Sequence, residues 1–214
     1  MPALPTNKQL RRWARRALVE ARWHAGLLVL PPRVAVFQAR ARRLAWRTGD
    51  VFSITSVTRP ADLRSLLALA SGRHRVVELG TATGWTAISL ALADPARTVT
   101  SLDVVSREEP LRYLQLVDGS VQSRVELETR DGAQGPADAT PVELLYIDSS
   151  HERDTTIAEV LAWRPVLAPG ATVAFDDYSN PDYPGVREAI AELGLAGEPR
   201  GSMFVHTVPE RDEP

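Results

Sequence analysis

One ten-residue stretch, Val76-Val77-Glu78-Leu79-Gly80-Thr81-Ala82-Thr83-Gly84-Trp85, constrains the fold of this chain more than any other. Its apolar start has the length and β-branched character of a short buried strand. Two glycines then bound a turn, and an apolar helical pattern runs on to about Asp94. Gly80 and Gly84 carry no Cβ, so the backbone there can approach a ligand closely. A helix opening after such a turn directs free N–H groups and its positive dipole end at whatever sits there. Glu78, at the end of the strand, argues against a phosphate as that occupant, because its carboxylate repels a pyrophosphate but suits hydroxyl groups or a cation.

The rest of the chain alternates in the same way, which is the pattern of a parallel sheet covered on both faces. Strands are expected at 75–79, 98–103, 124–129, 142–148 and 171–176. Helices are expected at 84–93, near 107–117, at 152–164 and at 185–194, with a short turn near 133–138. Ile157, Val160 and Leu161 should face inward from the helix at 152–164, and Val186, Ala189, Ile190 and Leu193 from the last. Ala168-Pro169-Gly170 has the composition of a turn between helix and strand. A final strand at 202–208 pairs as a hairpin with one near 195–199. Before the first strand, Pro60 suits the start of a helix that buries Leu63, Leu66, Leu67 and Ala70 and ends at Ser71-Gly72. The segment from Val51 to Arg59 is expected to connect across the mouth of the fold.

Composition sets the class. With 214 residues, 44% of them hydrophobic, the chain can bury the core of one domain and carry an extension. It has no cysteine, which excludes disulfides, thiolate chemistry and zinc–thiolate sites. No secretory pattern is evident at the N-terminus, and the longest apolar run, Gly26 to Pro32, falls far short of the ~18 residues that span a bilayer. The expectation is a cytoplasmic protein. Charge is unevenly placed. The first fifty residues hold one lysine and ten arginines against Glu20 and Asp50, a surplus of nine positive charges, and the remainder carries a net charge of −11.

Within that basic region, residues 7–24 place Leu10, Trp13, Ala14, Ala17, Leu18 and Ala21 at helical spacing, flanked by Arg11, Arg12, Arg15, Arg16 and Arg22. After Pro31-Pro32 a second helical pattern places Val34, Phe37, Ala41 and Leu44 beside Arg33, Arg40, Arg42, Arg43 and Arg47. Two basic amphipathic helices suit a helical cap, a homodimer surface, or peripheral membrane contact through residues 7–47. Nucleic acid is disfavoured, since no aromatic platform or base-reading module accompanies the arginines. The expected organisation is a basic helical extension over 1–48, one domain over 49–208, and a disordered tail over 209–214.

Acids lie at the carboxyl ends of five consecutive expected strands. Glu78 ends the first, Asp103 the second, Asp131 follows the third, Asp148 ends the fourth and Asp176-Asp177 ends the fifth. Together in an apolar interior these charges would be costly, so they are expected to line a cleft at the carboxyl ends of the strands. Asp103 follows Gly84 by 19 residues, a position from which a carboxylate can accept from both ribose hydroxyls of a nucleoside. The turn lacks GxGxxG. With Glu78 beside it, the spacing Gly80-x-x-x-Gly84 favours S-adenosylmethionine, which carries a sulfonium, an amine and ribose hydroxyls, over a dinucleotide.

These residues resemble the class I S-adenosylmethionine-dependent methyltransferases over about residues 60–208. That resemblance implies a Rossmann-like, mostly parallel seven-stranded sheet with helices on both faces, here with the basic helical N-terminal extension added. Glu78-x-Gly80-x-x-x-Gly84 is similar to the family's first motif. Ala82 replaces its middle glycine, as in catechol and caffeoyl-CoA-type O-methyltransferases, to whose turn Gly80-Thr81-Ala82-Thr83-Gly84-Trp85-Thr86 is close. The cofactor residues implied are Glu78, Gly80, Thr81, Gly84, Trp85, Asp103, Asp131, Gly132 and Ala133, with Asp131 near the adenine amine. Tyr146-Ile147-Asp148-Ser149-Ser150-His151, the run from Trp163 to Gly170, and Ala174-Phe175-Asp176-Asp177-Tyr178 resemble the metal-dependent branch that includes macrocin-type sugar O-methyltransferases. By position, Asp148, Asp176 and Asp177 are then the ligands of Mg2+, a hard cation that suits carboxylate oxygen.

For the general base, related sugar enzymes often use an acid where this chain has Ser150. His151, one residue on, is the candidate, beside the alternatives that it points to solvent or that a metal-bound diol needs no base. Asp148 and His151 are thus the expected catalytic pair, and Tyr178, Asn180 and Tyr183 the expected lining of an acceptor pocket. His24, His74 and His206 have no such context. The reading is transfer of methyl from S-adenosylmethionine to a hydroxyl of a small molecule. A non-catalytic cofactor-binding protein that docks through its basic helices is the alternative. A nicotinamide-dependent oxidoreductase with a Tyr-Lys pair is disfavoured, because Lys8 is the only lysine.

Overall fold

The computed structural model describes residues 7–210, and the side chains from Ala17 onward. The expected apolar stripe at Leu10, Trp13 and Ala14, its flanking arginines 11, 12, 15 and 16, and most of the tail expected to be disordered therefore lie outside the described residues. Four helices precede the sheet: α1 (Asn7–Gly26), α2 (Pro32–Thr48), α3 (Val51–Ser56) and α4 (Pro60–Leu69). Then follow β1 (Arg75–Leu79), α5 (Trp85–Ala93), β2 (Thr98–Asp103), α6 (Glu109–Leu114), α7 (Gly119–Gln122), β3 (Val125–Thr129), β4 (Val142–Ile147), α8 (Arg153–Trp163), β5 (Leu167–Phe175), α9 (Pro184–Glu192), β6 (Gly197–Arg200) and β7 (Met203–Thr207).

The seven strands form one sheet in the order β3-β2-β1-β4-β5-β7-β6. All neighbours from β3 to β5 are parallel, and β7 runs antiparallel to both β5 and β6. The chain moves outward from β1 through β2 to β3 and then returns to lay β4 on the other side of β1. The strand order reverses there, so the crevice opens beyond the ends of β1 and β4. Gly80 makes that junction possible. Its φ is +103°, and a Cβ on it would lie 2.0 Å from the Asp148 carbonyl oxygen.

Several local expectations change. The segment after Gly49 is the helix α3, because Asp50 caps it by accepting from Ser53 N at 3.0 Å and Ser53 Oγ at 2.7 Å. The helix expected near 107–117 is the shorter α6, and a further turn of helix, α7, follows it, started by Asp118, which accepts from Val121 N. Ala168-Pro169-Gly170 lies within β5, where the ladder with β4 shifts register and Gly170 adopts φ +69°. On α8 the inward face is Thr156, Glu159, Val160 and Trp163, whereas Leu161 is 51% exposed. On α1 the described members of the expected apolar stripe, Ala17, Leu18 and Ala21, are exposed, and Trp23 is the buried residue instead.

The extension shares the core of the sheet. Val34, Phe37, Ala41 and Ala45 of α2 belong to the same buried cluster as Ile88, Leu90 and Leu92 of α5, and Gln38 donates to Ser89 Oγ at 3.0 Å. Arg42, expected on the basic flank, is buried: its Nε donates to Glu20 Oε2 at 2.8 Å and its guanidinium lies 4.4 Å over the Trp23 ring. A second cluster, including Leu79, Ile147, Val160, Trp163 and Phe175, fills the other face of the sheet beneath α8 and α9. Among the described residues no helix is long and apolar enough to cross a membrane.

Gly80→Ala is expected to destabilise the protein by roughly 4 kcal/mol or more, through backbone overlap as well as positive φ. Gly72→Ala, also at positive φ but with nothing within 4 Å of the added carbon, should cost only about 1 kcal/mol. Urea unfolding of the two variants separates the contact from the dihedral.

Candidate functional site

Two cavities meet beyond the ends of β1 and β4. The first, of about 260 Å3, is lined by Gly80, Asp103, Asp131 and Gly132 together with Arg107 and Glu159, among others. The second, of about 610 Å3, is lined on one side by Thr55, Ser56 and Thr58 and on the other by His151, Asp177 and Tyr183, among others. Phe52, Ala82 and Asp148 line both, so a group passing from one cavity to the other passes these three side chains.

The first cavity is shaped by backbone. Gly80 N and Thr81 N both donate to Leu102 O, which folds the turn back over β2. Asp103 is held between two backbone donors, Ala82 N on Oδ2 and Val105 N on Oδ1, each at 2.9 Å. Asp131 caps the short 3-10 turn that follows β3 by accepting from Ala133 N at 2.9 Å, and Trp163 Nε1 fixes Gly132 O at 2.8 Å.

Of the cofactor residues expected from the sequence, Gly80, Asp103, Asp131 and Gly132 line this cavity; Glu78, Thr81, Gly84, Trp85 and Ala133 do not. Glu78 and Thr81 lie behind the turn, joined through Ser101 Oγ, which donates to Glu78 and lies 2.7 Å from Thr81 Oγ1. Gly84, at φ +74°, is packed on Pro110. Trp85 is a core residue, 1% exposed, with its ring edge-on to Tyr113 at 5.1 Å.

Residues that the sequence reading missed complete the cavity. Glu159 is buried and accepts from Ser149 Oγ at 2.7 Å; a Cβ on Gly132 would lie 2.8 Å from its Oε1. A charged residue on the same helical face as Val160 and Trp163 was the available signal. Phe52 carries the Arg107 guanidinium 4.4 Å over its ring. Its position depends on α3, whose cap Asp50 also accepts from Tyr113 OH at 2.6 Å. No periodicity in six residues could announce that helix.

The second cavity concentrates backbone strain. Ala82, His151 and Asp177, at φ +44°, +60° and +53°, are the non-glycine residues of positive φ among those described, and all three line it. Such conformations are held only where surrounding structure over-determines them, and they cluster at working sites. His151 stacks on Tyr183, 4.5 Å between centroids and 20° between planes. Its Nε2 lies 3.3 Å from Asp148 Oδ1 and 3.5 Å from Asp177 Oδ2, yet it is buried without a hydrogen bond aligned to either. Burial pulls the imidazole down, but Asp148, Asp177 and Asp176 outweigh it and hold its pKa above the ordinary value. Asn180 and Tyr183 line the cavity as expected. Tyr178 does not, being packed 4.9 Å from the Phe204 ring.

The three carboxylates expected to bind Mg2+ are not equivalent. Asp176 Oδ1 accepts from Ser202 Oγ at 2.7 Å. Asp148 and Asp177 each turn one oxygen toward the same imidazole nitrogen. Among the described residues no three acidic or imidazole groups form a metal cluster. Two carboxylates are nonetheless a usual protein share for Mg2+, which keeps most of its waters. Burial pushes Asp148 up to about 7; the charges of Asp176 and Asp177 add to this, and His151 opposes it. Hard donors and uncompensated charge fit a divalent cation held by Asp148 and Asp177.

Comparison with known proteins agrees with this architecture. Residues 77–178 match a family model described as a methyltransferase domain. An O-methyltransferase from Bacillus cereus, solved with SAH, superposes with a TM-score of 0.63 at 17% identity, over 81% of this chain and 90% of that one. The O-methyltransferase TomG from Streptomyces achromogenes, involved in tomaymycin synthesis and solved with SAM, gives 0.57 at 19% identity, over 84% and 90%. CalS11, a TDP-rhamnose 3'-O-methyltransferase of calicheamicin biosynthesis, gives 0.55 at 20% identity, over 68% and 78%. At these identities the likeness is one of fold. No curated protein matches the sequence at a significant level.

Glu78, Asp148 and Glu159 have their acids raised by burial, to about 8, 7 and 7. Each holds its proton more tightly folded than unfolded, so the stability it adds is complete below its unfolded pKa and is lost as pH rises through the folded value. The melting temperature of the ligand-free protein should therefore fall as pH rises from about 4 to about 8, and Glu159→Gln should flatten that slope. A cation favours the ionised carboxylates. S-adenosylmethionine should bind more tightly as pH climbs through this window, and the uncharged thioether S-adenosylhomocysteine should gain less; calorimetric titration of both ligands measures the difference.

Proposed function

We infer that this chain, which carries the class I S-adenosylmethionine-dependent methyltransferase fold and its methyltransferase domain over residues 77–178, transfers the methyl group of S-adenosylmethionine to a hydroxyl of a small molecule. The observation that carries the reading is the meeting of the two cavities at Ala82, Asp148 and Phe52, with an imidazole on the acceptor side. Asp103 accepts from the ribose hydroxyls, and Asp131 and Glu159 face the adenine end. The surrounding carboxylates give the cleft a negative potential, which suits binding of the sulfonium.

His151 is the base. With Nε2 unprotonated it takes the acceptor's hydroxyl proton while the oxygen attacks the sulfonium methyl in line, and the uncharged thioether leaves. Tyr183 holds the ring by stacking, and Asp148 and Asp177 stabilise the imidazolium that forms. Where Mg2+ is bound, Asp148 and Asp177 would hold it in place of the imidazolium, and it would supply a Lewis acid that lowers the pKa of the acceptor hydroxyl. Phe52 and Arg107 close the cofactor side against water, and Thr55, Ser56 and Thr58 line the acceptor side.

His151→Ala is expected to lower kcat by about 10^2- to 10^4-fold while the affinity for S-adenosylhomocysteine stays within about threefold of the parent. The parent's kcat should rise with pH as His151 loses its proton, and the variant should lose that limb. Absence of S-adenosylhomocysteine binding at millimolar ligand would reject the assignment itself. For the metal, EDTA should abolish transfer and added Mg2+ restore it; full activity in EDTA removes the ion from the scheme. A screen of metabolite extracts with labelled cofactor identifies the acceptor.

A further inference from the structure

From Ala17 onward, helix α1 carries an apolar line on the side away from the core. Ala17, Leu18 and Ala21 are exposed, and Ala25 and Leu28 continue the same line at helical spacing. Leu18 is 52% exposed and Leu28 is 87% exposed; Leu28 and Val29 form the tip between α1 and α2. This orientation is built in, since the helix is fastened by its opposite side. Trp23 and Leu27 are buried, and Glu20 grips the buried Arg42 guanidinium that covers Trp23.

The charge around the stripe has one sign. Arg22 lies on α1, and Arg40, Arg43 and Arg47 follow Val36 along the outer face of α2, where i+3 and i+4 spacing aligns them. All four are exposed and form no ion pair among the described residues. The acids of this region are engaged, Glu20 with Arg42 and Asp50 with Ser53 and Tyr113. An exposed apolar line on α1 with unpaired, exposed arginines on α1 and α2 is complementary to a surface that is apolar beneath and anionic above.

We propose that this face docks on an anionic phospholipid bilayer, with α1 lying in the plane of the interface, Leu18, Leu28 and Val29 entering the acyl boundary, and the arginines meeting lipid phosphates. A second copy suits the face less well. An isologous pair through α1 would set two basic extensions against each other, with like charges opposed and no acids between them. The proposal does not depend on the methyl-transfer reading.

Vesicle sedimentation of the full chain tests it, using phosphatidylcholine alone and phosphatidylcholine with about a third replaced by phosphatidylserine. Binding is expected to the anionic vesicles only and should weaken steeply with salt. Leu18→Asp/Leu28→Asp should lose about tenfold or more in partitioning, and Arg40→Glu/Arg43→Glu should lose a similar factor together with much of the salt dependence. Unchanged circular-dichroism melts keep each comparison between folded proteins. Three results overturn the proposal: no sedimentation with anionic vesicles at low salt; binding that the leucine variant retains in full; or a solution dimer that the leucine variant dissociates, which assigns the face to a second copy.

Discussion

The close approach of Gly80 to the Asp148 carbonyl is the constraint on which the rest of the structure depends. The end of β1 and the end of β4 are brought so near that no side chain fits between them. Asp148 N then donates to Leu79 O at 2.8 Å, and the chain beyond each strand turns away in opposite directions. One cavity opens toward β2 and the other toward β5. A larger residue at position 80 would push the strands apart where Asp148 must face both.

Carboxylates crowd this junction, and their arrangement resolves the cost of gathering them. Asp103 is satisfied by backbone N–H groups, Asp176 by Ser202, and Glu78 by Ser101 behind the turn. Asp148 and Asp177 have no comparable donors for the oxygens they turn to His151. What remains is a localised demand for positive charge at the meeting of the cavities. An imidazole that can take up a proton, a divalent ion and a sulfonium all meet that demand. Stability and function pull in opposite directions here, since buried acids that prefer to stay neutral are most useful when ionised.

The N-terminal helices belong to the working fold. α2 shares a core with α5, and the chain leaving it is capped at Asp50, whose carboxylate also ties Ser53 to Tyr113. That tie sets α3 over the junction and places Phe52 against both cavities. The outer faces of α1 and α2 take no part in this and keep their apolar and basic character for another surface.

The amino-acid sequence by itself determined the alternation of the five parallel strands with their main helices, the glycine turn, and the acids at the strand ends. Those are local signals: strand and helix periodicity, glycine where a Cβ cannot fit, and charges that need a cleft. It also offered His151 as a partner of Asp148 three residues before it, with solvent as the other direction the ring could take. Only the tertiary structure decided which acids face a ligand, since burial of Glu78 behind the turn and of Glu159 beneath the cavity depends on distant partners, Ser101 and Ser149. It likewise turned Asp176 to Ser202, moved Trp85 into the core, and faced the stripe of α1 outward. An amphipathic pattern states that a helix has an apolar side, but a buried ion pair and a tryptophan on the opposite side set which way that side points.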